Sequence, residues 1–412
     1  MLTSAGSPPS RSGIGLSTLI ISTTTIVSHT FARSSYGLLL PAIEDSLNIS
    51  HARAGFGGTV VFLAFLPATL LVAGLASRTE PINLMRAGLA VAAVGLGLNA
   101  LAPSYPVLLI GLALGGAAGA GIWVPAPTVA TAGVAPERRG LVIGLLTATI
   151  GVGILVVGVG TNLLRSAMND QGLWRPIWAI EAGVAFLLFV ALVGFVRPEP
   201  TPKVSGGINL NHLKSVPGWR QITVAYALYA IAGGGFFSFV VAALEQDGGL
   251  DRSHTTAVFA VMGLVGAVFA PLTGLLSDRV GRKPVMLGSV AIVGSAAAAI
   301  ASGAVIAVVG GAILFGAIAS SFPTQVAAYV RDHADARVFS GAFATMLLFF
   351  SVTAISAPSM MGVLADLTGS FAIPYLTLAG VSLLIIATVA TLPSSASQSP
   401  TPSLPASSSP ES

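Results

Sequence analysis

The chain repeats one device from near its start to near its end: an apolar run of about 20 residues or more, a short polar turn, then another run. At 1.5 Å per residue a helix of that length crosses the ~30 Å hydrocarbon core of a bilayer. Only helices and closed barrels can cross, because every backbone polar group in hydrocarbon needs an internal partner. The runs are too long for barrel strands and lack their in–out alternation. Charged residues make up 8% of the chain, against about 25% in a soluble domain. A soluble enzyme fold is therefore excluded. The chain has no cysteine, which excludes disulfide and thiol chemistry. Its net charge of +4 is no nucleic-acid signal, because the bases gather in turns beside the apolar runs.

The pattern predicts spans near 14–40, 54–76, 82–101, 106–130, 140–164 and 174–196, then near 219–244, 255–277, 284–301, 304–328, 338–364 and 371–392. The expected fold class is an all-α membrane protein with twelve transmembrane helices in two six-helix bundles, 14–196 and 218–392. Residues 197–217, rich in Pro and Gly, read as a cytoplasmic linker. The Ser/Pro-rich tails, 1–13 and 393–412, have no apolar run to bury and read as disordered. The first run is long and lacks a small-residue cleavage site, so it reads as a retained span rather than a signal peptide.

Between the eighth and ninth runs lies Gly274-Leu275-Leu276-Ser277-Asp278-Arg279-Val280-Gly281-Arg282-Lys283. Its bases place it on the cytoplasmic side. With that turn inside, both termini are inside, and 14 of the 19 Lys/Arg fall on the cytoplasmic side against four outside, with Arg33 left in a span. The stretch resembles the G-x-L-a-D-R-x-G-R-K/R loop of the major facilitator superfamily (MFS), a family of secondary transporters, through Gly274, Leu276, Asp278, Arg279, Gly281, Arg282 and Lys283. An earlier copy, Gly74-Leu75-Ala76-Ser77-Arg78, lacks the acid and continues Thr79-Glu80-Pro81. The loops Ala135–Gly140 and Arg331–Arg337 are a second repeated pair. The resemblance implies the MFS fold, two tandem halves rocking about a midplane site, and a gating role for the loop, here centred on Asp278. The run Phe31–Ile43 is similar to the first helix of a bacterial branch of the family. The antiporter pattern G-x-x-x-G-P-x-x-G-G is missing from span 5, which has Gly144, Gly151, Val152, Gly153, Gly158 and Gly160 but no Gly-Pro.

Among the 19 Lys/Arg and 15 Asp/Glu, only Arg33 and Glu181 fall well inside a predicted span. A charge at a span centre costs about 2.5–3.5 kcal/mol on insertion scales, so each calls for a partner or a cavity. Counted from the predicted span ends, both lie roughly 10 Å deep. They suit either a structural ion pair or a substrate and proton site. Span 1 is also polar, with Ser22, Thr23, Thr24, Thr25, Ser28, His29, Thr30, Ser34, Ser35 and Tyr36 beside Arg33. Ser22, His29, Arg33 and Tyr36 follow helical spacing on one face.

The resemblance implies that spans 1, 4, 7 and 10 line the central cavity. It thereby nominates Arg33, His29, Tyr36, Trp123, Tyr226, Tyr229 and Gln325 for substrate binding, and Glu181 and His29 for proton coupling; helix packing is the competing reading for each aromatic. Gly111, Gly115 and Gly119 in span 4 suit close helix packing. Gly233-Gly234-Gly235 suggest a hinge or break in span 7, and Pro323 frees carbonyls in span 10. His51, His212, His254 and His333 lack metal-ligand spacing, and no phosphate loop is present.

The expected function is a non-enzymatic secondary transporter with no cofactor and no nucleic-acid partner. It is expected as a multi-pass monomer of the plasma membrane (bacterial inner membrane), moving a small organic solute by alternating access with protons as coupling ion. Arg33 favours an organic anion. Drug or metabolite efflux by proton antiport, and a non-transporting sensor, are the alternatives.

Overall fold

A computed structural model describes residues 15–76, 78–132, 134–165, 167, 172–197, 208–334 and 336–393. The N-terminal tail 1–13, all of the C-terminal tail beyond Pro393, and 198–207 of the predicted linker lie outside them. The described residues are all-helical. Eleven helices are long and apolar enough to cross a membrane. They are spans 2 to 12: His51–Leu75, Pro81–Ala100, Tyr105–Thr131, Leu141–Arg165, Trp174–Phe195, Trp219–Gln246, Arg252–Val280, Arg282–Ala301, Val305–His333, Gly341–Thr368 and Ala372–Ala390.

Span 1 is the twelfth, in three consecutive segments: α-helix Leu16–Ile26, π-helix Val27–Ser34 and α-helix Ser35–Leu47. It ends seven residues beyond the predicted 40, at Leu47, and is capped by Asn48, whose φ of 50° is left-handed. Apolar counting stopped at Pro41 and the acids Glu44 and Asp45. The helix nevertheless carries Pro41 in its interior and extends past the apolar stretch. Arg33 therefore lies roughly 20 Å from the end of its helix rather than 10 Å, close to the middle of the 16–47 rod.

The expected break in span 7 is absent: Trp219–Gln246 is one helix. Its glycines are packing positions instead. A Cβ on Gly235 would meet Leu378 at 3.1 Å and Met361 at 3.2 Å. Spans 4 and 10 are the interrupted ones, at Val124–Pro125 and Ala319–Ser320. Proline lacks the N–H that would bond four residues back, so Pro323 leaves the Ala319 carbonyl without its helical donor. Tyr229 replaces that donor from span 7, its hydroxyl 2.6 Å from the Ala319 oxygen.

Span 4 packs on spans 2 and 3, and span 3 on span 6; in the other half span 12 packs on 7 and 9, and span 10 on 8 and 9. The halves meet where span 2 lies on span 11, span 5 on span 8, and the end of span 1 on span 7. Glycine makes these crossings close. A Cβ on Gly55 would stand 2.3 Å from the Pro358 oxygen, and one on Gly362 2.1 Å from the His51 oxygen. A Cβ on Gly151 would meet the Ala267 nitrogen at 2.6 Å, and one on Gly263 the Leu155 nitrogen at 2.5 Å. Thr59 pins the first seam by hydrogen bonding to the Ile355 carbonyl and the Ser359 hydroxyl, both at 2.7 Å.

Polar contacts between halves continue at the end that carries His51 and Asp251. The Asp366 carboxylate accepts from the first two amides of span 2, and Arg252 pairs with Asp45. At the opposite end, the described ion pairs of Arg282 with Asp278 and Asp332 stay within the second half.

Candidate functional site

The π-helix sits where span 1 faces the interior. Its last turn closes by a five-residue step, the Ser35 amide donating to the Thr30 carbonyl, while the Ser34 side-chain hydroxyl also donates to the His29 carbonyl at 3.2 Å. Wide turns of this kind re-aim side chains and recur at functional sites. Most of the span's hydroxyls hold it to itself or to span 5. Thr25 meets the Thr149 hydroxyl at 2.6 Å, Thr149 donates to the Ser22 carbonyl at 3.0 Å, and Thr30 donates to the Ile150 carbonyl at 3.3 Å. His29 and Arg33, both partly accessible, remain free of those ties.

The Arg33 guanidinium lies over two aromatic faces of span 2, 4.4 Å from the Phe65 centroid and 4.9 Å from Phe62. Cation–π attraction of this kind is worth ~0.5–2 kcal/mol and offsets part of the cost of a cation away from water. No carboxylate lies within ion-pair distance of Arg33 among the described residues. His29 places its ring edge-on to Trp123 of span 4, at 4.2 Å, with Nδ1 2.9 Å from the Ser28 hydroxyl. Arg33, His29, Trp123, Phe62 and Phe65 thus form one group drawn from spans 1, 2 and 4.

The ion pair between Arg33 and Glu181 is not formed. Glu181, fully buried on span 6, accepts a hydrogen bond from Ser35 at 2.5 Å, and its other oxygen meets no protein partner. Ser35 is two residues from Arg33, so the two point to nearly opposite sides of the rod. Depth along the helix suggested the pair; direction around it forbids it.

The other nominated residues lie apart from this group. The Tyr36 hydroxyl donates to the Ala54 carbonyl at 2.7 Å, tying span 1 to span 2. Tyr229 stacks on Phe322, with its hydroxyl on Ala319. Tyr226 stacks against Phe350 at 4.6 Å and Phe343 at 6.5 Å. Gln325 is fully buried and donates to the Thr273 carbonyl at 3.4 Å, leaving its own oxygen unpartnered. Phe62, Phe65 and Ser35 escaped the sequence reading. A phenylalanine in a membrane span is unremarked by composition, and Ser35 was one hydroxyl among many.

In the Asp278 loop, Arg282 Nη1 contacts Asp278 at 2.6 Å and the Ser277 hydroxyl at 2.5 Å, while its Nε holds Asp332 at 2.9 Å. Lys283 donates to the carbonyls of Ala390 and Leu392 at 2.8 and 2.7 Å. Gly281, with φ 93°, makes the turn between spans 8 and 9. Arg279 lies in the last turn of span 8. A Cβ on Gly274 would meet nothing within 4 Å.

The sequence profile of the Major Facilitator Superfamily matches residues 23–243 and 222–410, nearly the whole chain. The chain belongs to the Major Facilitator Superfamily. This MFS chain is 25% identical over 164 residues to an MFS-type transporter of Bacillus subtilis, covering 40% of itself and 31% of that protein. It thus spans about a third of that relative's length. It is 26% identical over 328 residues to a chloramphenicol resistance protein of Streptomyces lividans, covering 75% of itself and 80% of that chain. Its fold matches the crystal structure of a bacterial homologue of the human lysosomal transporter Spinster, described as inward-facing and unoccupied. That match has a TM-score of 0.69 at 17% identity and covers 93% of this chain and 95% of the other. With that profile and eleven membrane-length helices among the described residues, the chain is a multi-pass membrane protein of this superfamily.

Proposed function

We propose that this MFS transporter carries a small organic anion with an aromatic or apolar body, bound at Arg33, and couples its movement to protons through Glu181. The single observation that carries the reading is the Arg33 guanidinium, near the middle of span 1, over Phe62 and Phe65 with no carboxylate at hand. A cation held this way supplies charge and directed N–H donors to an anion. His29 and Trp123 offer a ring edge and a stacking face beside it. Glu181 lies behind, on the far side of span 1. A buried carboxyl with one serine donor carries a heavy desolvation cost as an anion and little as a neutral acid. It therefore suits a proton that is taken up and released as the halves move.

In this reading residues 14–196 and 218–392 move as two bodies within a monomer. The Asp278 end faces the cytoplasm, supported by the concentration of bases there. The polar seam at His51 and Asp251 is then the closed outer gate, and the arrangement matches the inward-facing description of the Spinster homologue. Efflux of amphipathic compounds is the second reading, favoured by the resistance named for the Streptomyces lividans relative.

The test is a thermal-shift screen of aromatic carboxylates and neutral amphipaths on the purified chain, repeated on Arg33→Ala. Flux in proteoliposomes follows, with and without a pH gradient. Stabilisation by carboxylates that vanishes in Arg33→Ala supports the anion reading. Stabilisation by neutral amphipaths alone, unchanged in Arg33→Ala, overturns it in favour of efflux. Binding with no flux overturns transport itself.

A further inference from the structure

His51 is the first residue of span 2 and stands on the seam between the halves. Its Nδ1 lies 2.8 Å from Glu44 Oε1 in its own half, and its Nε2 3.0 Å from Gln246 Oε1 in the other. The Gln246 amide nitrogen donates to the Gly369 carbonyl at 3.2 Å, which fixes Oε1 as the atom facing the imidazole. The Gln246 oxygen has no hydrogen to give, so Nε2 must carry one. The contact with Glu44 then needs a second proton, whether held on Nδ1 or on the carboxyl. Without that proton a ring lone pair faces a carboxylate and the contact becomes repulsive.

The ring is held in place by the second half. Phe371 packs edge-on at 5.0 Å and Phe239 at 6.3 Å. Asp366 accepts from the amides of His51 at 3.1 Å and Ala52 at 2.9 Å. The other charged groups around it are already engaged. Arg252 bridges Asp45 and Glu245, and Asp247 accepts from the Ser370 hydroxyl and the Phe371 amide. Arg53, two residues along span 2, makes no hydrogen bond or ion pair with the ring among the described residues; only its backbone carbonyl is engaged, by the Tyr105 hydroxyl. Among the described groups, Glu44, Asp366 and the Gln246 oxygen are those that meet the imidazole and its amide.

We propose that the Glu44–His51 pair is a proton-binding site that locks the two halves together at this end of the molecule. With the proton bound, span 1, span 2 and span 7 are joined through one ring. With it released, either the Glu44 contact or the Gln246 contact breaks, and the seam loosens. The site rests on neither Arg33 nor Glu181: its proton sits on a ring that also bonds the other half, whereas that of Glu181 sits inside one half.

The chain has no cysteine, so a spin-label pair at Ser46→Cys and Leu367→Cys reports this seam alone. The full chain in nanodiscs is compared by pulsed dipolar spectroscopy at about pH 5 and about pH 8, the range in which histidine changes charge. The expected result is one short distance in acid and an added longer population in alkali. The ratio changes about tenfold for each pKa unit by which closure strengthens proton binding. His51→Gln, which keeps a donor and an acceptor but cannot titrate, is expected to give one distribution at both pH values. Glu44→Gln, checked for monodispersity, is expected to flatten the response as well. An unchanged distribution in the parent pair overturns the proposal. So does a pH response that survives in both variants, including one abolished instead by Glu181→Gln.

Discussion

The seam between spans 2 and 11 yields the sharpest quantitative prediction. In Gly55→Ala the new methyl would stand 2.3 Å from the Pro358 oxygen, 3.0 Å from its carbonyl carbon and 3.2 Å from Ser359 Cα. All three atoms are backbone, so no rotamer can yield. Ordinary contact begins near 3.4 Å, so the helices must separate by about 1 Å at this level or shift along each other. Overpacking of this kind costs about 1–3 kcal/mol. Because the clash lies between the halves, that cost falls on the closed seam rather than on either bundle. A difference of ~1–3 kcal/mol changes a two-state ratio by roughly 5–150-fold toward the arrangement open at the His51 end. Labelling of an introduced Ser359→Cys by a membrane-impermeant maleimide reads that population. The rate should rise by the same factor in Gly55→Ala, and also in Gly362→Ala, which clashes with the His51 carbonyl from the other side of the seam. Gly97→Ala is the control, since a Cβ there meets nothing within 4 Å. If Gly55→Ala labels no faster than Gly97→Ala, or if it unfolds the protein without opening the seam, the halves do not meet through these glycines as argued.

Three further outcomes are expected. Tyr229→Phe removes the donor that serves the Ala319 carbonyl and should lower thermal stability by about 0.5–1.5 kcal/mol; combined with Pro323→Ala, which restores a helical N–H, most of that loss should disappear in a double-mutant cycle. Gly281→Ala places a methyl on a backbone with φ 93° and should cost about 1–3 kcal/mol in a thermal melt, whereas Gly274→Ala, facing open space, should leave the melt unchanged. Glu181→Gln keeps the acceptor for Ser35 and abolishes titration at that position; it should melt no lower than the parent while flux in proteoliposomes stops responding to an imposed pH gradient.

The spans were legible because a helix in hydrocarbon must be apolar throughout its crossing. The Asp278 loop was legible because its residues serve a turn: Gly281 for its positive φ, and Arg282 and Lys283 for the carboxylates and carbonyls that surround it. Direction around a helix was not legible. Counting places Arg33 at a depth but cannot say that the rod is π-helical from Val27 to Ser34, nor that Ser35 rather than Arg33 turns toward Glu181. Arg33 was found because its charge is conspicuous among apolar neighbours. Phe62 and Phe65, which cradle it, match every other apolar residue of their span. Glycine misled in both directions. Gly233–Gly235 suggested a break and are packed inside a continuous helix. Gly55 and Gly362 drew no notice and bring the halves together.

What the two halves share, and what they do not, divides along the same physical line. Arg86 of span 3 donates to the carbonyls of Leu192 and Val196 at the end of span 6. Lys283 of span 9 does the same for Ala390 and Leu392 at the end of span 12. A helix ends with unpaired carbonyls and partial negative charge, and a cation there satisfies both. Spans 4 and 10 are likewise both interrupted, beside Pro125 and Pro127 in one and Pro323 in the other. Each of these devices serves the bundle that contains it, so each half needs its own copy whatever the other half does. The acid of the loop is different. Arg78 stands in the first half where the second has Asp278, and among the described residues Asp278 is held by Arg282, a neighbour one helical turn away. A carboxylate so placed adds little to its own bundle, because an exposed pair four residues apart is worth only about 0.3–0.5 kcal/mol. The first half, which lacks that acid, therefore gives up little stability in its own bundle.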